Sequence, residues 1–364
     1  MSIEIKVLEK DEIAELKRLF ERTPILAQNN PFINGSIDEF MWQFFSDNYQ
    51  SSVYTIAYDT DRDELAGTMS ALYIPMKAPD GQVNQTIKPE DTLINVRALV
   101  RYKNRDLLKD LFDVIESKSE LLDVKFYWGF TYAVNSFERL GFSRHFSSKQ
   151  GTYVLKPLAA YRHLISLNAS NGTKQKIQIA GLTMISNLKQ LFNQKKISRL
   201  KCKEIRLKDI DEDILLGFLP DHLYSVYVDK HFLKWRIEEN ISALTYSILQ
   251  IEDQSNRIVA YLIYSQKEGK VFFVEQLLFD RSLSMKTKTE IFQVGLQYLK
   301  SLDAVNVRAM GFNHNAANKE DMDLLIKCGF MFINRGIPFI FKSMDKNIKA
   351  EDIYLSRLNT DGTF

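Results

Sequence analysis

Thr92-Leu-Ile-Asn-Val-Arg-Ala-Leu-Val-Arg-Tyr-Lys-Asn-Arg-Asp-Leu-Leu-Lys-Asp-Leu-Phe112 is the stretch from which the fold is read. Its first part is apolar and rich in β-branched residues, Arg101 to Arg105 form a short cationic loop, and apolar residues return at Leu107, Leu108, Leu111, Phe112 and Ile115 with helical spacing. The spacing predicts strand, loop and amphipathic helix. A helix that begins behind three cations offers unpaired backbone N–H groups and a positive dipole end, which suits a phosphate or pyrophosphate.

Upstream, Ile3 to Leu8 alternates as a strand and Asp11 is a candidate N-cap for a helix reaching about Glu21. After a loop with Pro24, Pro31 and Gly35, a second amphipathic helix is expected over Ser36 to Phe45. The strands Val53 to Tyr58 and Leu65 to Pro75, joined by Asp59 to Asp63, predict an antiparallel hairpin, and Lys77 to Pro89 reads as a polar loop. Downstream come a strand over Val124 to Phe130, a short helix ending at Leu140-Gly141-Phe142, and a strand at Thr152 to Leu155 that closes this half. Gly141 suits the position after a helix C-terminus.

The order then recurs. Glu4-Ile-Lys-Val-Leu returns as Glu204-Ile-Arg-Leu-Lys, Tyr54-Thr-Ile-Ala-Tyr as Tyr246-Ser-Ile-Leu-Gln, and Leu140-Gly-Phe as Cys328-Gly-Phe. The offset drifts from 200 through 192 to 188, as a duplication with altered loops produces. Two domains are expected, 1–157 and 200–343, joined by a segment at 158–199 with an exposed loop at Asn168 to Thr173 and a helix at Met184 to Phe192, and followed by a tail at 344–364.

The chain has 364 residues, 45% of them hydrophobic, enough for a sizeable core. Its 48 Lys and Arg balance 46 Asp and Glu at a net charge of +2, so no general polyanion-binding surface is implied and no nucleic acid is expected as partner. Two cysteines, Cys202 and Cys328, cannot form a disulfide framework. The start, Met-Ser-Ile-Glu-Ile-Lys, resembles no leader and no run approaches a membrane span, so a soluble cytoplasmic protein is expected. His145, His222, His231 and His314 are too scattered to suggest a metal.

Strand, two helices, a hairpin, a strand leading into a cationic loop and helix, another strand, a short helix and a closing Gly-Phe: this order resembles the GNAT acyltransferase family, in both halves. The resemblance implies an α/β (α+β) protein of two tandem GNAT-like folds, each with a mixed, mostly antiparallel sheet, and acyl-CoA as co-substrate. In that family the fourth strand and following helix hold the CoA pyrophosphate through a Gln/Arg-x-x-Gly-x-Gly/Ala loop. Arg101-Tyr-Lys-Asn-Arg-Asp106 has that spacing, with Asn104 and Asp106 where glycines would stand. Asn104 can adopt left-handed backbone, whereas Asp106 must turn away to cap the helix or pair with Arg101 or Arg105. The resemblance therefore implies CoA binding by Leu99, Val100, Arg101, Lys103, Asn104, Arg105 and Asp106, completed by Asn135 and Phe137 on the helix after the fifth strand. Asn135 resembles the residue that holds the pantetheine arm; as a helix-start Asn it fits an N-cap equally well. The second half offers Arg281-Ser-Leu-Ser-Met-Lys286 as the alternative cradle, also without glycines.

The Tyr that protonates the leaving thiolate in many GNAT enzymes falls at Phe137 in the first half and Leu325 in the second, so no acid carries over. Glu275, in the otherwise apolar run Val271 to Leu278, occupies a strand where the family often keeps a base; buried, it must be paired or protonated. Tyr132 is a second candidate for polarising substrate groups. His222 to Arg236 interleaves aromatic and cationic residues, and Tyr224, Tyr227, Lys230, Lys234, Trp235 and Arg236 are the expected acceptor contacts. For Trp42 and Trp235, at matching positions of the repeat, core packing is the plain alternative.

The layout resembles enzymes that acylate a nucleotide-linked amino sugar, of the dTDP-3-amino-3,6-dideoxyhexose type used for surface polysaccharide. The implied partners are acyl-CoA and a dTDP- or UDP-linked amino sugar received in a groove between the halves; the oligomeric state stays open, with a homodimer compatible. Two rivals remain: a peptidoglycan-type transferase using aminoacyl-tRNA, and a duplicated GNAT scaffold that binds without catalysing.

Overall fold

The computed structural model describes residues 2–29, 37–46, 52–167, 181, 199–242, 244–267, 270–333 and 336–360. In chain order the strands are β1 (Ile3–Val7), β2 (Val53–Asp59), β3 (Glu64–Lys77), β4 (Val83–Ile94), β5 (Phe126–Phe130), β6 (Ser143–Ser147), β7 (Lys149–Val154) and β8 (Lys201–Ile205). They continue with β9 (Tyr224–Val226), β10 (Thr245–Glu252), β11 (Ile258–Lys267), β12 (Val271–Phe279), β13 (Asn306–Gly311), β14 (Met331–Ile333), β15 (Pro338–Ser343) and β16 (Ile353–Tyr354). The α-helices of the described residues are α1 (Ile13–Arg22), α2 (Ile37–Phe44), α3 (Val96–Arg101), α4 (Leu107–Glu120), α5 (Val134–Glu138), α6 (Pro157–Leu167), α7 (Glu212–Gly217), α8 (Lys230–Leu233), α9 (Met285–Ser301) and α10 (Ala316–Cys328). A π-helical turn, Lys234–Glu238, extends α8. The expected loop at Asn168 to Thr173 and helix at Met184 to Phe192 lie outside the described residues.

Two compact units result. Unit 1 comprises Met1–Phe146, Glu239–Ser242 and Ile337–Ala350; unit 2 comprises Ser147–Glu238, Ala243–Gly336 and Glu351–Phe364. In unit 1 the sheet runs β1-β2-β3-β4-β5-β15-β6, and in unit 2 it runs β14-β7-β13-β12-β11-β10-β8. Each unit repeats the antiparallel ladder of its first four strands, then a parallel step, β4 to β5 and β12 to β13. The repeat read from sequence is therefore structural.

The closing strands depart from a division by halves. The strand expected to close the first half, β7, pairs instead with β13, from Asn306↔Val154 to Gly311↔Lys149, inside unit 2. Its counterpart β15 pairs with β5 in unit 1, from Phe339↔Phe130 to Ser343↔Phe126. Backbone hydrogen bonding is blind to chain position, so either closing strand satisfies the open edge of a fifth strand. Aromatic contacts line the pairing in unit 1, where Phe130 meets Phe339 edge-on at 5.3 Å and Phe126 packs on Phe341 at 5.4 Å.

Around the opening stretch the local reading shifts by one element. The polar residues from Val83 are strand, because β4 pairs along β3 from Lys77↔Val83 to Gly67↔Ile94. The strand expected to continue to Val100 stops at Ile94, where Asn95 accepts from the N–H groups of Arg97 and Ala98 and starts α3. The following helix α4 is as predicted, with Leu107, Leu108, Leu111, Phe112 and Ile115 buried on one face; each contributes roughly 1.5–3 kcal/mol of burial. Near the N-terminus a capping box between Glu9 and Glu12, rather than Asp11, opens the first helix. Gly141 and Gly329 end their helical segments at φ +87° and +105°, as a residue after a C-terminus does.

Candidate active site

The chemistry collects where each fourth strand parts from its fifth. In unit 1, β4 and β5 pair at Ile87↔Tyr127, beside a bond from Lys125 N–H to Gln85 O. β4 then carries Pro89, which has no N–H to offer, and continues to Ile94. Its register against β3 slips between Thr68 and Ser70, so the chain bulges at Asp91. Asp91 is held in the left-handed region, φ +43°, where Asp is among the residues that tolerate it. Thr68 Oγ1 donates to the Asp91 carbonyl at 3.0 Å and fixes the bulge.

The Asp91 carboxylate accepts the hydroxyl of Tyr54. Tyr54 is fully buried and lies edge-on to Phe40 and Phe44 of α2, at 5.1 and 5.4 Å. Burial pushes Asp91 up to about 6, and the Tyr54 hydrogen bond works against the shift. Tyr54 itself is driven well above its ordinary value by burial and by the Asp91 charge, so it remains a donor. A half-buried carboxylate that titrates near neutrality has the properties of a general base. The sequence reading missed it, because Pro89-Glu90-Asp91 looks like the end of a polar loop. The signal available was the acidic residue of the second fourth strand, Glu275, which the repeat places in the same element.

In unit 2 the bulge recurs: β11 and β12 slip between Ile263 and Tyr264, leaving Glu275 as the extra residue. Glu275 is 2% exposed, accepts the Ser265 hydroxyl, and forms an ion pair with Arg357, itself 4% exposed. Of the two expected outcomes, paired or protonated, the structure shows the pair. β12 and β13 pair from Val271↔Asn306 to Val274↔Ala309, and beyond that point residues 354–357 line the space with β12, β13 and α10.

The expected CoA residues differ in their surroundings. Leu99 and Val100 are helical and exposed at 41% and 78%, so they offer no extended strand edge to a pantetheine arm. Arg101 forms an ion pair with Asp59, whose side chain is 1% exposed. Arg105 pairs with Asp110 and donates to the Ile3 carbonyl at 2.9 Å. Asp106 caps α4 at Lys109 N–H, 3.2 Å, and pairs with Arg139, 3.3 Å, so it has turned away as the sequence required. Lys103 and Asn104 are exposed, and Asn104 is not among the residues with positive φ, so it does not replace a glycine in the sense expected. Asn135 is exposed in the first turn of α5, whose cap residue is Ala133; Phe137 is buried and meets Phe142 edge-on at 5.3 Å.

Among the other candidates, Tyr132 is 74% exposed. Tyr224 lies in β9, paired in parallel with Ile353 of β16. Tyr227 and Lys230 are half-buried, with the Lys230 N–H donating to Glu212 at 2.8 Å, and Lys234 is exposed. Trp235 and Arg236 are buried, Trp235 against Phe232 at 5.9 Å and the Arg236 guanidinium 5.8 Å from the Trp235 ring. Arg281 donates to the Phe218 carbonyl at 2.7 Å, and Lys286 is exposed. An open concavity of about 610 Å³ lies elsewhere in unit 2, lined by Glu204, Arg206, Glu238 and Tyr246, and contains neither fourth-strand carboxylate. Among the described residues no group of three or more His, Cys, Asp or Glu could hold a metal, and no helix is long and apolar enough to cross a membrane.

No family model and no curated protein matches the chain. Solved structures do. A conserved protein from Enterococcus faecalis V583, described as a probable N-acyltransferase, is 10% identical at a TM-score of 0.58, covering 94% of this chain and 73% of its own. A tandem GNAT protein from the clavulanic acid biosynthesis pathway, solved without AcCoA, is 10% identical at 0.54, with 94% and 98% covered. Saccharomyces cerevisiae N-myristoyltransferase with bound myristoyl-CoA and inhibitors is 10% identical at 0.54, with 99% and 86% covered. The chain thus has two GNAT-like folds in tandem, as expected from the order of its elements.

Proposed function

We propose that the protein is an acyl-CoA-dependent N-acyltransferase whose working site is the parting of β4 and β5 in unit 1, with Asp91 as general base. The observation that carries this reading is the bulge-borne Asp91, tuned to about 6 and held by Tyr54, in a fold shared with N-acyltransferases. An acceptor amine is mostly protonated at neutral pH and attacks only as the free base. Asp91, ionised above about 6, takes that proton; the amine nitrogen then bonds to the thioester carbon, the carbon–sulfur bond breaks, and the second proton lost from the nitrogen goes to the departing thiolate. The fold likeness to a protein with bound myristoyl-CoA supports the choice of thioester donor.

The finer reading is that the acceptor is a nucleotide-linked amino sugar, dTDP- or UDP-linked. It rests on the aromatic and cationic residues Tyr224, Tyr227, Lys230 and Lys234 together with the resemblance read from the sequence. The experiment is a calorimetric titration with coenzyme A, then thiol release from acetyl-CoA with a panel of amino sugar nucleotides and simple amines. Saturable binding of one CoA and acceptor-dependent thiol release support the reading. A folded protein that binds no thioester overturns it, and turnover with simple amines alone overturns the nucleotide part.

A further inference from the structure

The parting of β12 and β13 is occupied by the chain itself. Asn318, in the first turn of α10, clasps the backbone of Leu355: its Nδ2 donates to the Leu355 carbonyl at 2.6 Å and its Oδ1 accepts the Leu355 N–H at 3.2 Å. Ser356 donates its hydroxyl to Gln276 of β12, and Arg357 forms the buried pair with Glu275. Tyr354 donates to Asp321 of α10 at 2.5 Å, while His314 Nε2 and Asn315 Nδ2 both donate to the Ile353 carbonyl at 2.8 Å. Leu355 and Leu358 are 2% and 1% exposed. The cavity left beside the segment is about 30 Å³, room for a water or two and nothing larger.

This is the chemistry of a ligand site. One side-chain amide pairs both ways with a passing amide group, a strand side chain takes a hydroxyl, and a buried carboxylate takes a cation. Every one of those groups is spent on residues 353–357. A thioester's pantetheine arm is likewise an extended chain of amides, and it cannot enter beside the segment.

We propose that the segment Ile353–Thr360 is a built-in occupant of the unit 2 site, which excludes an extended amide ligand there and leaves the chain with one thioester site, in unit 1. The second clause rests on the function proposed above; the first does not. The segment acts as a pseudo-ligand, and the vacated site is the one that accepts an amide-bearing chain.

The test compares the full chain with a chain ending at Ala350. The shortened chain, folded, binds a synthetic peptide of residues 351–360 saturably, whereas the full chain binds it at least tenfold more weakly. Coenzyme A titrates one site in the full chain and two in the shortened one. Absence of peptide binding by the folded shortened chain overturns the proposal. Peptide binding with no CoA binding by either chain retains the occupant and overturns the thioester reading; CoA at two sites in the full chain overturns the exclusion. If the shortened chain does not fold, the full chain carrying Glu275→Gln and Arg357→Met replaces it, which leaves no lone buried charge. Hydrogen exchange at the Leu355 amide then rises at least tenfold over the unsubstituted chain; an unchanged rate overturns the proposal.

Discussion

The two fourth strands are built to one plan and partnered differently. β4 bulges at Asp91 and β12 at Glu275, each placing a carboxylate where the parallel neighbour peels away. Glu275 is met by a guanidinium and sealed under residues 354–357. Asp91 is met by the Tyr54 phenol, which holds the carboxylate without neutralising it. Burial raises the Asp91 carboxylate, which no cation among the described residues offsets, to about 6. On the function proposed, the partner of a single carboxylate is what separates a working site from a filled one.

The largest effect expected is on catalysis. Asp91→Asn slows acyl transfer by about 10²- to 10⁴-fold while CoA affinity by calorimetry stays within about twofold; an unaltered rate would place the base elsewhere. Next is the stability of the filled site. Arg357→Ala strands Glu275 in the interior and lowers unfolding free energy by about 3–5 kcal/mol, read from urea denaturation. A loss below about 1 kcal/mol would mean that the buried pair does not hold the segment.

The pH profile sharpens the contrast. If Asp91 works as carboxylate, as proposed, the rate falls about tenfold per pH unit below its value of about 6. The Tyr54 hydroxyl favours the ionised form, and Tyr54→Phe therefore moves the inflection upward. A midpoint that stays put would exclude Asp91 as the group observed. The smallest effect belongs to the cationic loop: Lys103→Ala weakens CoA binding by at most ~5-fold, the size of an exposed ion pair. Arg101→Ala instead lowers stability by about 3 kcal/mol, because it leaves Asp59 buried without its cation.

Local patterns were legible where a side chain's role follows from near neighbours. The α4 stripe, the hairpin of β2 and β3, the left-handed glycine after a short helix and the recurrence of the whole order all come from spacing. Even the requirement that Glu275 be paired or protonated follows from one acid in an apolar strand. Its partner did not, since Arg357 is 82 residues away in a segment whose polar residues gave no period.

What the sequence by itself determined was a duplicated α/β scaffold with its carboxylate on the second fourth strand. Only the tertiary structure decided that β7 and β15 close each other's sheets, that Arg101 and Arg105 form internal ion pairs, that Asp91 lies on a strand bulge, and that residues 354–357 pack against β12 and α10. The reason is physical. Spacing along the chain encodes which face of an element is buried, whereas strand partners, ion pairs and the environment that moves a carboxylate depend on atoms brought together from distant positions, and no local period records them.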